Sequence, residues 1–301
     1  MRKQVGLTRI DVAVALACIA LVLAQAGVIN AGGRERSKRE VCLANLRSLA
    51  AAWQTYSNDN SGKVPCGDVW YSWSMLCSSG VMGLPAWHEW PHTWPHGPAP
   101  SCVTGSRAIM QASLPNPKIA DWRHAIAEGT MWRWVNDYKV YKCPVGEKGQ
   151  EVTYAMSHAM NTFPGSAGPG SVPRTIKLRG DIRRAAERYV FLDAGSAKQG
   201  AFFLRYDGDA GSPPAARGSF GDHAPCRHGH GTTFVFADQH VEYHKWVDGP
   251  PGPPVSSVAY DDPMTWGGTN TNLCYCDWRW FCKVTWGDVP TCTIAGKKCD
   301  Y

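Results

Sequence analysis

The stretch "VCLANLRSLAAAWQTY", residues 41–56, decides the fold. Cys42, Leu46, Leu49, Trp53 and Tyr56 recur in it at spacings of four, three, four and three. That is the period of one helical face, so the segment reads as an amphipathic helix laid against a core. Upstream lies the charged patch "RERSKRE", residues 34–40, after Gly32 and Gly33. Further upstream, Val12 to Ile29 form an 18-residue run whose only strongly polar member is Gln25. As a helix that run is about 27 Å long, close to the ~30 Å of a bilayer core. The parts together predict one long helix, membrane-spanning over residues 7–30 and amphipathic over residues 31–58.

The apolar run also permits a cleaved signal peptide, with Ala24-Gln25-Ala26 before Gly27 as the cut, or a lipid on Cys18. Asp11 separates these readings. A carboxylate near hydrocarbon costs on the order of 2.5–3.5 kcal/mol on insertion scales and is normally kept with a partner. A cut after Gly6 would free the amine of Leu7, four residues before Asp11.

"GLTRID", residues 6–11, before an apolar helix resembles the processing site of type IV prepilins and type II secretion pseudopilins. The resemblance implies cleavage after Gly6 by a prepilin peptidase and N-methylation of Leu7. Thr8 is then the second mature residue, and Asp11 the acid that pairs with a neighbouring subunit's N-terminus during assembly. Leu7 stands where that family usually has Phe, and Asp11 where it usually has Glu. The implied partners are copies of the chain, related pilin-like subunits, the inner-membrane assembly machinery and the bilayer. The implied location is the bacterial inner membrane, single-pass with a periplasmic head, and a cell-surface or extracellular filament after assembly. Lys and Arg flank the run on both sides, so the orientation rests on the resemblance and not on charge.

Turn formers in "YSNDNSGKVPCG" end the helix. Residues 59–247 read as a globular head rich in Gly, Pro and Trp. Its clearest strands are "YVFLDA" (189–194), "AFFLRY" (201–206), "TTFVFAD" (232–238) and "HVEYHKW" (240–246). "DGPPGPP", residues 248–254, reads as a stiff linker, and residues 255–301 as a Cys-rich tail. The expected class is α+β: a long N-terminal helix packed on a small antiparallel sheet, with loop-rich insertions and a C-terminal extension stapled by disulfides.

"YKCPVGEKGQEVTYAMSHAMN" (141–161) and "RHGHGTTFVFADQHVEYHKW" (227–246) are similar to segments of pilin-like proteins common in planctomycetes, which carry His, nine residues, then Asp-Gly. His228 and Asp238 keep that spacing, with Gln239 in place of Gly. Both residues read as structural, Asp238 and Gln239 forming a two-residue hairpin turn. A type I′ turn needs positive φ at both positions, so Gln239 should cost about 1 kcal/mol or force a longer loop.

Composition narrows the chemistry. Net charge is +6 with no aromatic-interleaved basic stripe, so nucleic acid is not an expected partner. Twelve cysteines include no C-x-x-C pair, which argues against zinc ribbons; beyond a membrane segment they read as disulfides. Eleven lie downstream of Cys18, so at least one thiol should be free or paired between chains. G-x-S-x-G, a phosphate loop and H-E-x-x-H are all absent, and no enzyme is expected. Asp238, His240, Glu242 and His244 alternate on one strand and could offer metal ligands, or simply line a solvated face. Asp207 and Asp209 in "RYDGDAGS" could hold Ca²⁺ or form an ordinary turn. "WHEWPHTWPHGP", residues 87–98, could stack on glycans or pack over the sheet; Pro91 and Pro95 bar its His88, His92 and His96 from a helical stripe. A tethered carbohydrate- or metal-binding protein is the alternative to the pilin-like subunit.

Overall fold

The computed structural model describes residues 9–67, 118–146, 151–161, 175–194, 201–202, 227–229, 231–247 and 276–287. Within them, the side chains of residues 9, 11, 17, 19–32 and 278 are not described. Helix α1, Arg9–Asp59, runs unbroken for 51 residues. Its C-terminal half buries the anticipated stripe: Cys42, Leu46, Leu49 and Trp53 are fully enclosed and Tyr56 nearly so. Asn60 stops it, its side-chain Nδ2 donating to the Tyr56 carbonyl at 2.8 Å. Ser61 and Gly62 follow at φ 56° and 82°, the left-handed exit common at helix ends. Among the described residues no helix is long and apolar enough to cross a membrane. Most side chains of the span expected over residues 7–30 lie outside those residues.

Helix α2, Ile119–Glu128, and the short α3, Trp132–Val135, lead through a 3-10 turn, Tyr138–Tyr141, into the sheet. Among the described residues the sheet has five strands: β1 Tyr154–Ser157, β2 Tyr189–Asp193, β3 Ala201–Phe202, β4 Gly231–Phe236 and β5 Val241–Lys245. Their order is β3-β1-β2-β4-β5. The α+β expectation holds, but the sheet is mixed, not antiparallel: β3 pairs parallel to β1 through Met156 with Ala201 and Ser157 with Phe202. A parallel neighbour must be reached by a crossover instead of a hairpin. Local pattern cannot register such a pairing.

Helices cover both faces, which explains why β2, "YVFLD", is buried at every position. A register shift between Tyr189 and Phe191 marks a bulge. It lets Val190 and Phe191 both join the α1 cluster while Tyr189 and Leu192 join the opposite one. The first core holds Leu46, Leu49 and Trp53 against Met156, Phe191 and Val235. The second is built by helix α4, Cys276–Trp286. Its Phe281 ring lies 5.1 Å from Phe202 and 5.5 Å from both Tyr189 and Phe234.

Helix α4 gives the Cys-rich tail a regular element of its own. Cys276 is disulfide-bonded, yet the segment docks by aromatic packing and by polar contacts at both ends. Asp277 in its first turn accepts from the Val247 backbone N–H at 2.8 Å and meets His244 Nε2 at 3.1 Å. At its other end, Arg188 donates to the Thr285 carbonyl and Arg184 to that of Gly287. Two guanidiniums there suit the negative end of the helix dipole. Linker residues 248–254 lie outside the described residues.

Candidate metal centre

Four side chains from four separate parts of the chain converge between α1 and the sheet. Cys42 comes from the buried face of α1, Cys143 from just after the 3-10 turn, Asp193 from the end of β2, and His228 from the turn before β4. All four are buried, with ligand atoms within 4.8 Å of one another. Cys143 Sγ lies 3.2 Å from His228 Nε2. Asp193 Oδ2 lies 3.5 Å from the same nitrogen and 3.7 Å from Cys42 Sγ.

Each of these side chains is oriented by a neighbour. His228 turns Nδ1 toward Glu35 Oε1, 3.2 Å away on α1. Arg227 donates to Asp193 Oδ1, which leaves Oδ2 facing the centre. Thr233 Oγ1 lies 3.0 Å from Cys42 Sγ, and Tyr154 donates to that sulfur at 3.3 Å. Thr153 Oγ1 accepts from the Cys143 backbone N–H at 2.7 Å. The hairpin-like closure Arg227–Gly231, with N–H to carbonyl bonds of 2.9 and 3.0 Å in both directions, pins His228 in place.

The electrostatics follow from burial against close partners. Burial pushes the Asp193 carboxyl up, but the Arg227 guanidinium and the bonds to His228 and Cys143 prevail, holding it below the usual carboxylate range. His228 is pushed down by burial and raised by its bonds to Asp193 and Cys143, with the net result near 9. The bond between Cys143 and Cys42, and then burial, lift the Cys143 thiol far above its ordinary value despite His228. Cys143, His228 and Glu35 have the connectivity of a nucleophile, base and orienter. A fully buried sulfur with a raised pKa is nonetheless the reverse of an activated nucleophile. The donor set is instead that of a soft-to-borderline metal: two sulfurs, one imidazole nitrogen and one carboxylate oxygen.

Of the candidate site residues read from the sequence, only His228 belongs to this centre, joined by Cys42 of the helical stripe. His228 meets Asp193 and Cys143, not Asp238. The hairpin ligand set does not form. Asp238 caps its own turn, binding His240 Nδ1 at 2.6 Å. Glu242 is exposed, and His244 stacks on Trp280 at 3.7 Å between ring centres while bonding Asp277. Strand alternation gave those side chains a shared face but not a shared focus. The turn itself is longer than two residues: the Phe236 carbonyl accepts from Gln239 N–H at 2.9 Å and Phe236 N–H donates to the His240 carbonyl at 3.0 Å. Gln239 has φ 77°, as in a three-residue loop whose last member is left-handed. Positive φ is needed only where the related motif has Gly. Cys42 and Cys143 are thiols, not disulfide partners as their context suggested. Gly6, Leu7, Thr8, Asp207, Asp209 and residues 87–98 lie outside the described residues, as does the side chain of Asp11.

Sequence reasoning missed Cys42, Cys143 and Asp193 because the contacts are non-local. Cys42 and Asp193 are 151 positions apart, Cys143 and His228 85. The one local signal was a cysteine on a helix stripe otherwise made of Leu and aromatics. Compared with protein-family models, curated proteins and solved structures, the chain matches none.

Proposed function

We propose that this chain is a pilin-like or pseudopilin structural subunit, cut after Gly6, methylated at Leu7 and assembled through α1 into a pilus or secretion pseudopilus. The observation that carries this reading is the division of labour along one continuous helix. The C-terminal half of α1 is locked into the head by its buried stripe. At the other end Ile10 is 74% and Leu16 61% exposed, and Val12 and Val14 are also open to solvent. Bare apolar side chains on a helix that continues from a packed head call for a further partner. A bilayer before assembly, and neighbouring copies after it, supply one.

In this reading the helix is a hydrophobic tether first and a packing surface second. Asp11 lies two residues into α1 and pairs with the new ammonium of a neighbour's Leu7. Such a pair adds little net stability but is costly to break, so it sets axial register instead of strength. Thr8 is the second residue of the mature chain in this reading. The peptidase, the inner-membrane assembly machinery and related subunits are the partners, and the head faces the periplasm.

The test is mass spectrometry of the mature N-terminus together with Asp11→Ala. Methylated Leu7 and an Asp11→Ala chain that folds but forms no filaments are the expected outcomes. Retention of residues 1–6, a start at Gly27, or wild-type filaments from the variant would overturn the reading.

A further inference from the structure

We propose that Cys42, Cys143, Asp193 and His228 bind one zinc ion in a closed four-ligand site that clamps α1 to the sheet. The site goes beyond the pilin-like reading and stands whether or not the chain enters a filament.

The first argument is spacing. Zinc bonds of about 2.0–2.3 Å in a tetrahedron set its ligand atoms roughly 3.3–3.8 Å apart. Three of the six separations, at 3.2, 3.5 and 3.7 Å, match those edges, and all six lie within 4.8 Å. The second argument is the surrounding shell. A ligating imidazole normally gives its other nitrogen to a carboxylate, and ligating sulfurs and carboxylates are themselves hydrogen-bonded. Glu35 on His228 Nδ1, Arg227 on Asp193 Oδ1, and Thr233 and Tyr154 on Cys42 Sγ supply that shell.

Charge is the third argument. Two thiolates and one carboxylate bring three negative charges into a buried volume. A divalent ion cancels two, and Arg227 beside Asp193 cancels the third. Zinc fits the mixed set better than Cu(I), which favours soft ligands alone, or Mg²⁺ and Ca²⁺, which favour oxygen. Four protein ligands leave no open position, the mark of a structural site. Binding releases the thiol protons and joins α1, the 3-10 turn, β2 and the turn before β4 at a single point.

The experiment uses the full-length chain in detergent, purified after expression with zinc. Elemental analysis is expected to give about one tightly held zinc per chain, and X-ray absorption a shell of two sulfurs at ~2.3 Å and two nitrogens or oxygens at ~2.0 Å. Cys143→Ala and His228→Ala should lose the metal while His240→Ala keeps it. Glu35→Gln, outside the ligand set, should weaken zinc binding roughly 10- to 100-fold. If the ligand variants do not fold, the absorption shell of the wild-type chain decides. A metal-free chain, a shell lacking the two-sulfur composition, or a disulfide joining Cys42 to Cys143 in protein from its native compartment would each overturn the site.

Discussion

His228 adopts φ 54° and Gly229 follows at 85°. A non-glycine residue held left-handed costs on the order of 1–3 kcal/mol and persists only where its surroundings dictate it. Here the Arg227–Gly231 closure and the Tyr243 hydroxyl, which donates to the His228 carbonyl at 2.8 Å, hold the turn. The strain points the ring inward onto Asp193 and Cys143. Gly231 is equally specified: a Cβ there would meet the His244 carbonyl at 2.2 Å and the Tyr243 ring at 2.7 Å. Gly231→Ala should therefore destabilise the head by about 2 kcal/mol or more, read from the urea midpoint. His158 makes a second prediction. Burial holds it near 3, against an ordinary value of 6.5. Between those values the unfolded chain takes up a proton that the folded chain refuses, so stability falls as pH drops through about 6.5 toward 3. The wild-type urea midpoint should decline from pH 7 to 5, and His158→Gln should flatten that slope; equal slopes would refute the assignment.

At the scale of elements, α4 is the clearest case of tertiary context overriding composition. "CDWRWFCKVTW" reads as cysteine-rich tail, yet Asp277, Phe281, Val284 and Thr285 fall at helical spacing and are buried. Phe281 meets three aromatic rings across β2, β3 and β4. Phe281→Ala should cost about 3–5 kcal/mol in chemical denaturation. A loss under about 1 kcal/mol would mean that α4 does not contribute to the core. The β4–β5 hairpin was legible as an alternating pair, because period two needs only neighbouring residues. Its turn took the longer of the two forms that Gln239 allowed: the loop spans Ala237 to Gln239, with Gln239 left-handed. The Gln239 side chain also donates to Gln54 on α1, a contact that the hairpin sequence alone does not contain.

Across the whole molecule, α1 is the member shared by the first core and the metal centre. It supplies one face of the first core, one sulfur of the metal centre and the carboxylate behind His228. Two consequences can be measured. A chain beginning at residue 33 keeps Glu35 and the whole buried stripe, so its thermal midpoint should match that of the full chain, and under the pilin-like proposal it should need no detergent. Zinc at 100 to 1,000 times its dissociation constant should raise unfolding free energy by about 2.7–4.1 kcal/mol over the stripped protein. Chelation should correspondingly lower the thermal midpoint, and re-addition should restore it.

The sequence by itself determined the periodic features. Among them are the helical stripe from Cys42 to Tyr56, a helix end within residues 56–67, the strand that opens at Tyr189, the two alternating strands of the β4–β5 hairpin, and the apolar run that precedes the head. Each is set by residues three, four or two positions apart, distances at which backbone geometry alone dictates which side chains share a face. Only the tertiary structure decided the parallel β1–β3 pairing, the docking of α4, and the meeting of Cys42, Cys143, Asp193 and His228. Those depend on which faces bury each other once the chain has closed loops of many tens of residues, and no local spacing encodes that choice.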